Sequence, residues 1–85
     1  MDVSKEIEAI VLREFSPATW SLVDDSARHR GHSGRPEGSG HFTLTIVSEK
    51  FLGKSRLESH RMVMAVLGHL IPDPVHALSL QLRAT

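Results

Sequence analysis

The sequence predicts a small α+β domain in which two helices cover one face of a three-stranded sheet. Three observations lead to this prediction. Apolar residues recur at helical spacing in two segments, they alternate with polar residues in three others, and Gly- or Pro-containing stretches separate these segments. Along the chain the order is helix, strand, strand, helix, strand. Because 85 residues suffice for only one thin hydrophobic core, we expect residues 1–85 to form a single domain.

The first helix is predicted over about residues 3–14. Residues at i, i+4, i+7 and i+8 share one helical face, and here those positions are apolar. They are Val3, Ile7, Ile10 and Val11. The pair Ser16-Pro17 ends the helix, because the residue before a proline disfavours helical backbone angles.

The next two periodic segments predict an antiparallel hairpin. Residues 20–23 form a short strand with Trp20 and Leu22 on one face, and residues 41–47 alternate between apolar side chains and threonines. Between these strands, residues 26–40 are rich in glycine and arginine and predict one long loop. Loops of this length are uncommon in compact domains, where they are usually functional or disordered.

A second helix follows after a short connection over residues 48–53. Ser55 and Glu58 fit a capping box, in which each side chain caps the backbone amide of the other residue. The helix is predicted over about residues 56–71, where Pro72 ends it. Its apolar stripe is predicted to consist of Leu57, Met64, Leu67 and Ile71. His60 completes the 3-4-3-4 spacing of that stripe and is interpreted as a structural core residue.

The last periodic segment, residues 75–83, predicts a third strand. His76 lies at its start and follows two prolines, which would make the approach to His76 rigid. The alternation predicts that His76 shares a face with Leu78 and Leu80. A histidine at such a rigid and partly exposed position is suited to bind a metal.

Opposite charges are separated along the chain, although the ten basic and ten acidic residues cancel. Residues 1–25 carry two basic and six acidic side chains, whereas residues 26–61 carry seven basic and three acidic ones. The basic segment is interpreted either as an ordinary solvated surface or as a docking surface for an anionic partner. The candidate docking residues are Lys50, Lys54, Arg56 and Arg61.

Two classes of function find little support. Gly53-Lys54-Ser55 matches only the end of a phosphate-binding loop, because position 48 holds a serine where the motif requires a glycine. Catalysis lacks a recognisable arrangement, since the chain has no cysteine and no tyrosine and its acidic residues cluster on the first helix and at Asp24-Asp25. We therefore expect a protein that is not an enzyme.

Six histidines and no cysteine make imidazole the candidate metal ligand of this chain. His29 and His32 lie three residues apart in the long loop and could reach one metal. A complete zinc site normally needs three or four protein ligands, so these loop histidines fall short on their own. The pattern alone leaves both alternatives open for His29, His32 and His76: metal ligands completed by another molecule, or ordinary exposed and structural residues.

Taken in order, the motifs of this chain resemble the BolA family. They are Asp24-Asp25-Ser26, His41-Phe42, Ile46-Val47-Ser48, Phe51, Gly53, His60-Arg61-Met62-Val63 and Pro74-Val75-His76-Ala77-Leu78. The resemblance implies a fold like the class II KH domain, αββααβ, with a three-stranded mixed sheet and its helices packed on one face. Residues 49–52 would then form the short middle helix. A further helix often ends such domains, and we expect it to be absent here because the sequence stops at Thr85.

The same resemblance implies an adaptor in iron–sulfur cluster trafficking or iron-homeostasis signalling. BolA-like proteins form heterodimers with monothiol glutaredoxins and share a [2Fe-2S] cluster, for which the glutaredoxin and its glutathione supply thiolates. His76 corresponds to the family's ligand on the last strand. His29 best matches the loop ligand and His32 is the alternative, so the chain resembles the histidine variant of the family. Alone, we expect it to be a monomer without a cofactor.

The alternative function is that of a KH-like, nucleic-acid-binding transcriptional regulator. The basic segment favours DNA as a partner, whereas the zero net charge, the few aromatic side chains and the missing second glycine of the KH backbone-binding loop do not. No segment predicts a membrane span or a signal peptide. We therefore expect a cytoplasmic protein, or an organellar one if a transit peptide has been removed.

Overall fold

A computed structural model describes residues 3–25, 40–72 and 74–85 of the chain. In these residues two helices and three strands follow each other in the predicted order, joined in part by single 3-10 turns. They are α1 Val3–Phe15, β1 Thr19–Asp24, β2 Gly40–Val47, a 3-10 turn Glu49–Phe51, α2 Arg56–Leu67, a second 3-10 turn Gly68–Leu70, and β3 Val75–Arg83. The α+β prediction and the mixed sheet are confirmed, and the short middle helix of the αββααβ pattern is the 3-10 turn at Glu49–Phe51.

The strand β2 occupies the centre of the sheet. It pairs antiparallel with β1 on one side and parallel with β3 on the other, in the order β1-β2-β3. The predicted hairpin of the first two strands is therefore confirmed. Because β2 and β3 are parallel, their first residues lie at the same end of the sheet, which brings Gly40 beside Val75.

The core lies on one face of this sheet, under both helices. Burial alternates strictly along β2, where Phe42, Leu44 and Ile46 are buried and the residues between them are only half-buried. The predicted stripe of α1 packs against this face, and α2 contributes Val63 and Leu67. The opposite face of the sheet has no helix among the described residues, so its side chains face outward.

The buried face of α2 differs from the predicted one. Val63 and Leu67 are buried, whereas Leu57 is 56% exposed and His60 is exposed. The placement of Leu57 in the buried stripe and the interpretation of His60 as a core residue are therefore wrong, whereas Leu67 of the predicted stripe is buried as expected. The reason is that α2 is apolar around much of its circumference and ends at Leu67. The tighter 3-10 turn that follows then buries Leu70 instead of Ile71.

The N-terminus of α2 carries the predicted capping box. The Ser55 Oγ accepts from the Glu58 amide at 3.0 Å, and the Glu58 Oε1 accepts from the Ser55 amide at 2.8 Å. The backbone hydrogen bond from Ser55 is the main cause that lowers the pKa of Glu58, with smaller contributions from the Ser55 hydroxyl and Lys54. The helix therefore begins at a defined residue, and Lys54 and Arg56 lie at a fixed turn.

Replacing Ser55 with alanine should lower the free energy of unfolding by about 1 kcal/mol, because an amide of the first helical turn loses its acceptor. Urea denaturation of the wild-type and variant chains measures this difference.

The lowered pKa of Glu58 makes the free energy of unfolding depend on pH. A carboxylate with a lowered folded-state pKa stabilises the fold above its unfolded pKa, and this contribution is lost as the pH falls through the folded value. The difference in unfolding free energy between the wild type and Glu58→Gln, which cannot ionise, should therefore shrink in acid, and an equal difference at neutral and acid pH would contradict this interaction.

The described residues contain no helix that is both long and apolar enough to cross a membrane. The predicted long loop and its two histidines fall within residues 26–39, outside the described part of the chain. Gly40, which the prediction assigned to that loop, is instead the buried first residue of β2.

Candidate metal-ligand site and basic turn

His76 lies on the surface at the start of β3. Its neighbour Val75 is buried, but the His76 side chain is exposed. The register between β2 and β3 shifts at this point, because Gly40 pairs with Val75 and His41 pairs with Ala77. His76 is thus the extra residue of a β-bulge, with no partner of its own on β2. The bulge turns the His76 side chain to the face of the sheet opposite to the one that simple alternation predicts.

The predicted face of His76 is wrong for this reason. Leu78 pairs with the buried Phe42 and belongs to the core side of the sheet. The His76 ring instead lies next to the ring of His41, with 5.0 Å between the ring centroids and 36° between the ring planes. Simple alternation from Leu78 back to His76 fails because the bulge inserts one residue. The exposure predicted for His76 is nevertheless present.

Backbone hydrogen bonds hold this end of the sheet in place. The Asp25 amide donates to the His41 carbonyl at 2.6 Å, and the Gly40 amide donates to the Pro74 carbonyl at 3.4 Å. The Thr43 hydroxyl also donates to an Asp25 carboxylate oxygen at 2.6 Å. His41 and His76 are therefore presented from backbone that is fixed on both strands, which suits residues that bind a metal.

The sequence interpretation assigned no functional role to His41, although His41-Phe42 was one of the recognised motifs. Only the parallel pairing of β2 with β3 reveals that His41 meets His76, and no local spacing could show it. The predicted loop ligands His29 and His32 lie outside the described residues. Over residues 3–25, 40–72 and 74–85, no three or more His, Asp or Glu side chains form a group that could hold a metal ion, so the two rings are a two-donor arrangement.

A second surface lies at the turn before α2. We call Leu52, Lys54, Arg56 and Leu57 the basic turn. All four side chains are exposed, and the two leucines are 61% and 56% exposed. Gly53 in its middle has φ +73°, a left-handed conformation that favours glycine. The exposed leucines and cations make the basic turn a candidate surface for docking a protein partner.

The other two predicted docking residues, Lys50 and Arg61, lie outside the basic turn. Lys50 is exposed in the 3-10 turn Glu49–Phe51, two residues before Leu52. Arg61 is exposed on α2 but lies five residues after Arg56, which places it about 140° around the helix axis. Arg61 therefore does not share a face with Arg56. The structure groups three of the four predicted basic residues along one stretch of chain and separates the fourth.

Comparison with known proteins places this chain among relatives of the same fold. The family model described as BolA-like protein matches residues 11–85. The chain is 34% identical over 80 residues to the DNA-binding transcriptional regulator BolA of Escherichia coli, covering 94% of this chain and 73% of that protein. It is 43% identical over 81 residues to BolA-like protein 1 of Bos taurus, covering 95% of this chain and 58% of that protein.

A solved structure supports the same assignment. The BolA domain of SufE1 from Arabidopsis thaliana superposes with a TM-score of 0.82 at 31% identity, over 99% of this chain and 93% of that one. The family resemblance found in the motifs is thus confirmed by the family model, by relatives and by the fold. This chain belongs to the BolA family.

Proposed function

We propose that this chain is an adaptor that binds a monothiol glutaredoxin and co-ligates a [2Fe-2S] cluster held between the two proteins. The glutaredoxin and its glutathione would supply thiolates, and this chain would supply imidazole. No reaction is catalysed by the chain itself. Its contribution is to dock the partner and to present nitrogen ligands at a fixed place, in cluster trafficking or iron-homeostasis signalling.

The observation that carries this proposal is the placement of His76. The ring is exposed at the end of a sheet, on a bulge that follows the prolines Pro72 and Pro74, and it lies beside a second imidazole. An ordinary exposed histidine on a helix would have none of these features. Bulges of this kind commonly re-aim a side chain toward a functional site.

The donor set fits a shared cluster. Each iron of a [2Fe-2S] cluster takes two protein ligands, and in some clusters two histidines replace two thiolates on one iron. This chain contains no cysteine, so within the proposal every thiolate comes from the partner side. When bound, the cluster would supply one-electron redox and iron-transfer chemistry, while this chain binds and orients.

One relative is consistent with a link to iron–sulfur chemistry. SufE-like protein 1 of Arabidopsis thaliana is 36% identical to this chain over 73 residues, which cover 80% of this chain but only 20% of that protein. The matched region is a BolA domain of known structure. A BolA domain joined to a SufE-like protein supports the iron–sulfur proposal for the present chain, although the joined protein is four-fifths other sequence.

Docking is proposed to use the basic turn. Replacing Lys54 and Arg56 together with glutamate should weaken the affinity for the glutaredoxin at least about tenfold, because complementary charges across an interface become like charges. Isothermal titration with the apo-glutaredoxin measures this. The matched control is Lys5→Glu combined with Arg13→Glu, which reverses two exposed charges on α1 and so changes the net charge by the same amount. Equal effects of the two variants would show that only net charge matters.

The docking face and the ligands can be mapped in one experiment. The chain labelled with ¹⁵N is titrated with apo and then with cluster-loaded glutaredoxin, and amide shifts are followed. We expect the basic turn to shift with both forms, and residues around His76 to shift or broaden only with the loaded form. Identical perturbations by both forms would contradict a ligand role for this chain.

Nucleic-acid binding is the second candidate, because the relative in Escherichia coli is named a DNA-binding transcriptional regulator. The exposed Lys50, Lys54 and Arg56 would contact phosphates. The carboxylate of Glu58 already caps the N-terminus of α2, where a phosphate would otherwise bind, and this weakens the case. A titration with DNA at about 50 mM and 200 mM salt tests it, since phosphate contacts make affinity fall steeply with salt. No binding at the lower salt would eliminate this function.

A further inference from the structure

His41 is the feature of the described residues that the proposed function does not yet use. It is half-buried on the outer side of β2, between the buried Gly40 and Phe42. Its ring lies 5.0 Å from that of His76 between centroids. The two residues are 35 positions apart in sequence, and only the parallel strand pairing with its bulge brings them together.

The separation of the rings suits one metal ion. With metal–nitrogen bonds of about 2.0–2.1 Å and tetrahedral angles, two bound imidazoles have ring centroids about 5 Å apart. The observed separation of 5.0 Å agrees with this value. The tilt of 36° between the planes leaves the rings neither parallel nor perpendicular.

The backbone under both rings is restrained. His41 is on the central strand, with its carbonyl accepting from Asp25, and the β2–β3 pairing continues on both sides of the bulge. Two ligands on paired strands lose little freedom when they bind, in contrast to ligands on a loop. The site also faces the side of the sheet away from α1 and α2, where a partner protein can approach.

The chemistry of the donors selects the class of metal. Two neutral imidazoles bind borderline cations such as Zn²⁺, Co²⁺ and iron, whereas Mg²⁺ and Ca²⁺ prefer oxygen ligands. Over residues 3–25, 40–72 and 74–85, no third His, Asp or Glu side chain joins the pair in a group that could hold a metal ion. The remaining coordination positions are therefore left to water or to a partner.

We infer that His41 is a metal ligand that forms a two-imidazole chelate together with His76. In the isolated chain, the same pair binds a borderline divalent cation.

The test uses Zn²⁺ alone as the probe, added to the isolated full chain by isothermal titration calorimetry. We expect one Zn²⁺ per chain, and His41→Ala and His76→Ala should each weaken the affinity at least about tenfold, since each removes half of the chelate. His41→Gln serves as a second variant that keeps a polar side chain of similar length. Thermal unfolding of each variant establishes that it is folded.

His69→Ala is the matched control. His69 is exposed in the 3-10 turn that follows α2, where its Nε2 lies 3.8 Å from a Glu6 carboxylate oxygen, and it takes no part in the pair. The double variant His29→Ala, His32→Ala measures whether the loop histidines contribute to the Zn²⁺ affinity. The inference is overturned if folded His41 variants bind Zn²⁺ as tightly as the wild type, or if His69→Ala weakens binding as much as His41→Ala does.

The result separates this inference from the proposed function, because no glutaredoxin is present. Zn²⁺ binding that requires His41 and His76, in a chain that forms no cluster-containing complex, would support the chelate and contradict the adaptor. Zn²⁺ binding that ignores His41, beside a coloured complex that requires His76, would contradict the chelate alone.

Discussion

Replacing His76 with alanine should bleach the complex between this chain and a cluster-loaded monothiol glutaredoxin. The substitution removes a rigidly held imidazole at an exposed position, so it leaves one iron short of a ligand without disturbing the core. We expect the visible absorption of the purified complex to fall to less than about one tenth, because the loss of a residue that only orients a metal ligand already costs about 10- to 100-fold in metal affinity. Absorption per heterodimer, measured after co-expression, gives the answer.

The control for this result is His69→Ala, which removes an exposed histidine outside the proposed site. That variant should keep the full absorption. The apo proteins should also still bind each other when His76 is replaced, since docking is proposed to use the basic turn. A His76→Ala complex with the wild-type spectrum would exclude His76 as a ligand.

Replacing Leu44 with alanine should destabilise the domain by about 2–5 kcal/mol. Leu44 is fully buried in the middle of the central strand, with Leu22 and Leu80 as its partners on the two neighbouring strands. The cavity would open where all three strands meet the helices. A domain of this size has only about 5–15 kcal/mol of stability in total, so a large share would be lost. Urea denaturation followed by circular dichroism measures the difference.

Leu57→Ala provides the matched control, because it makes the same chemical change at a leucine that is 56% exposed. Its effect should stay within about 0.5 kcal/mol. This comparison also tests the corrected face of α2. If Leu57→Ala cost as much as Leu44→Ala, the buried face would be the one that the sequence periodicity first predicted.

The strands and α1 could be predicted because their patterns are unambiguous. In β2, polar and apolar residues alternate without exception from His41 to Ile46, and only one face can be buried. In α1, the apolar residues other than Ala9 and Leu12 form a single stripe. For α2 the pattern allowed two stripes, and the choice between them depended on where the helix ended and how the 3-10 turn after it rotated Leu70 into the core.

The site was only partly predictable, for a different physical reason. The exposure of His76 followed from its position at a strand start after two prolines. The contact of His76 with His41 could not be predicted from the sequence. A contact across parallel strands depends on the register, and here a bulge of one residue sets that register. The side-chain direction of His76 was mispredicted for the same reason.

The most direct test of the adaptor proposal is native mass spectrometry, combined with visible absorption, of the chain co-expressed with a monothiol glutaredoxin. The proposal predicts a coloured species with the mass of one copy of each protein, one [2Fe-2S] cluster and bound glutathione. A colourless heterodimer, or colour that remains only with a glutaredoxin homodimer while this chain elutes alone, would contradict it.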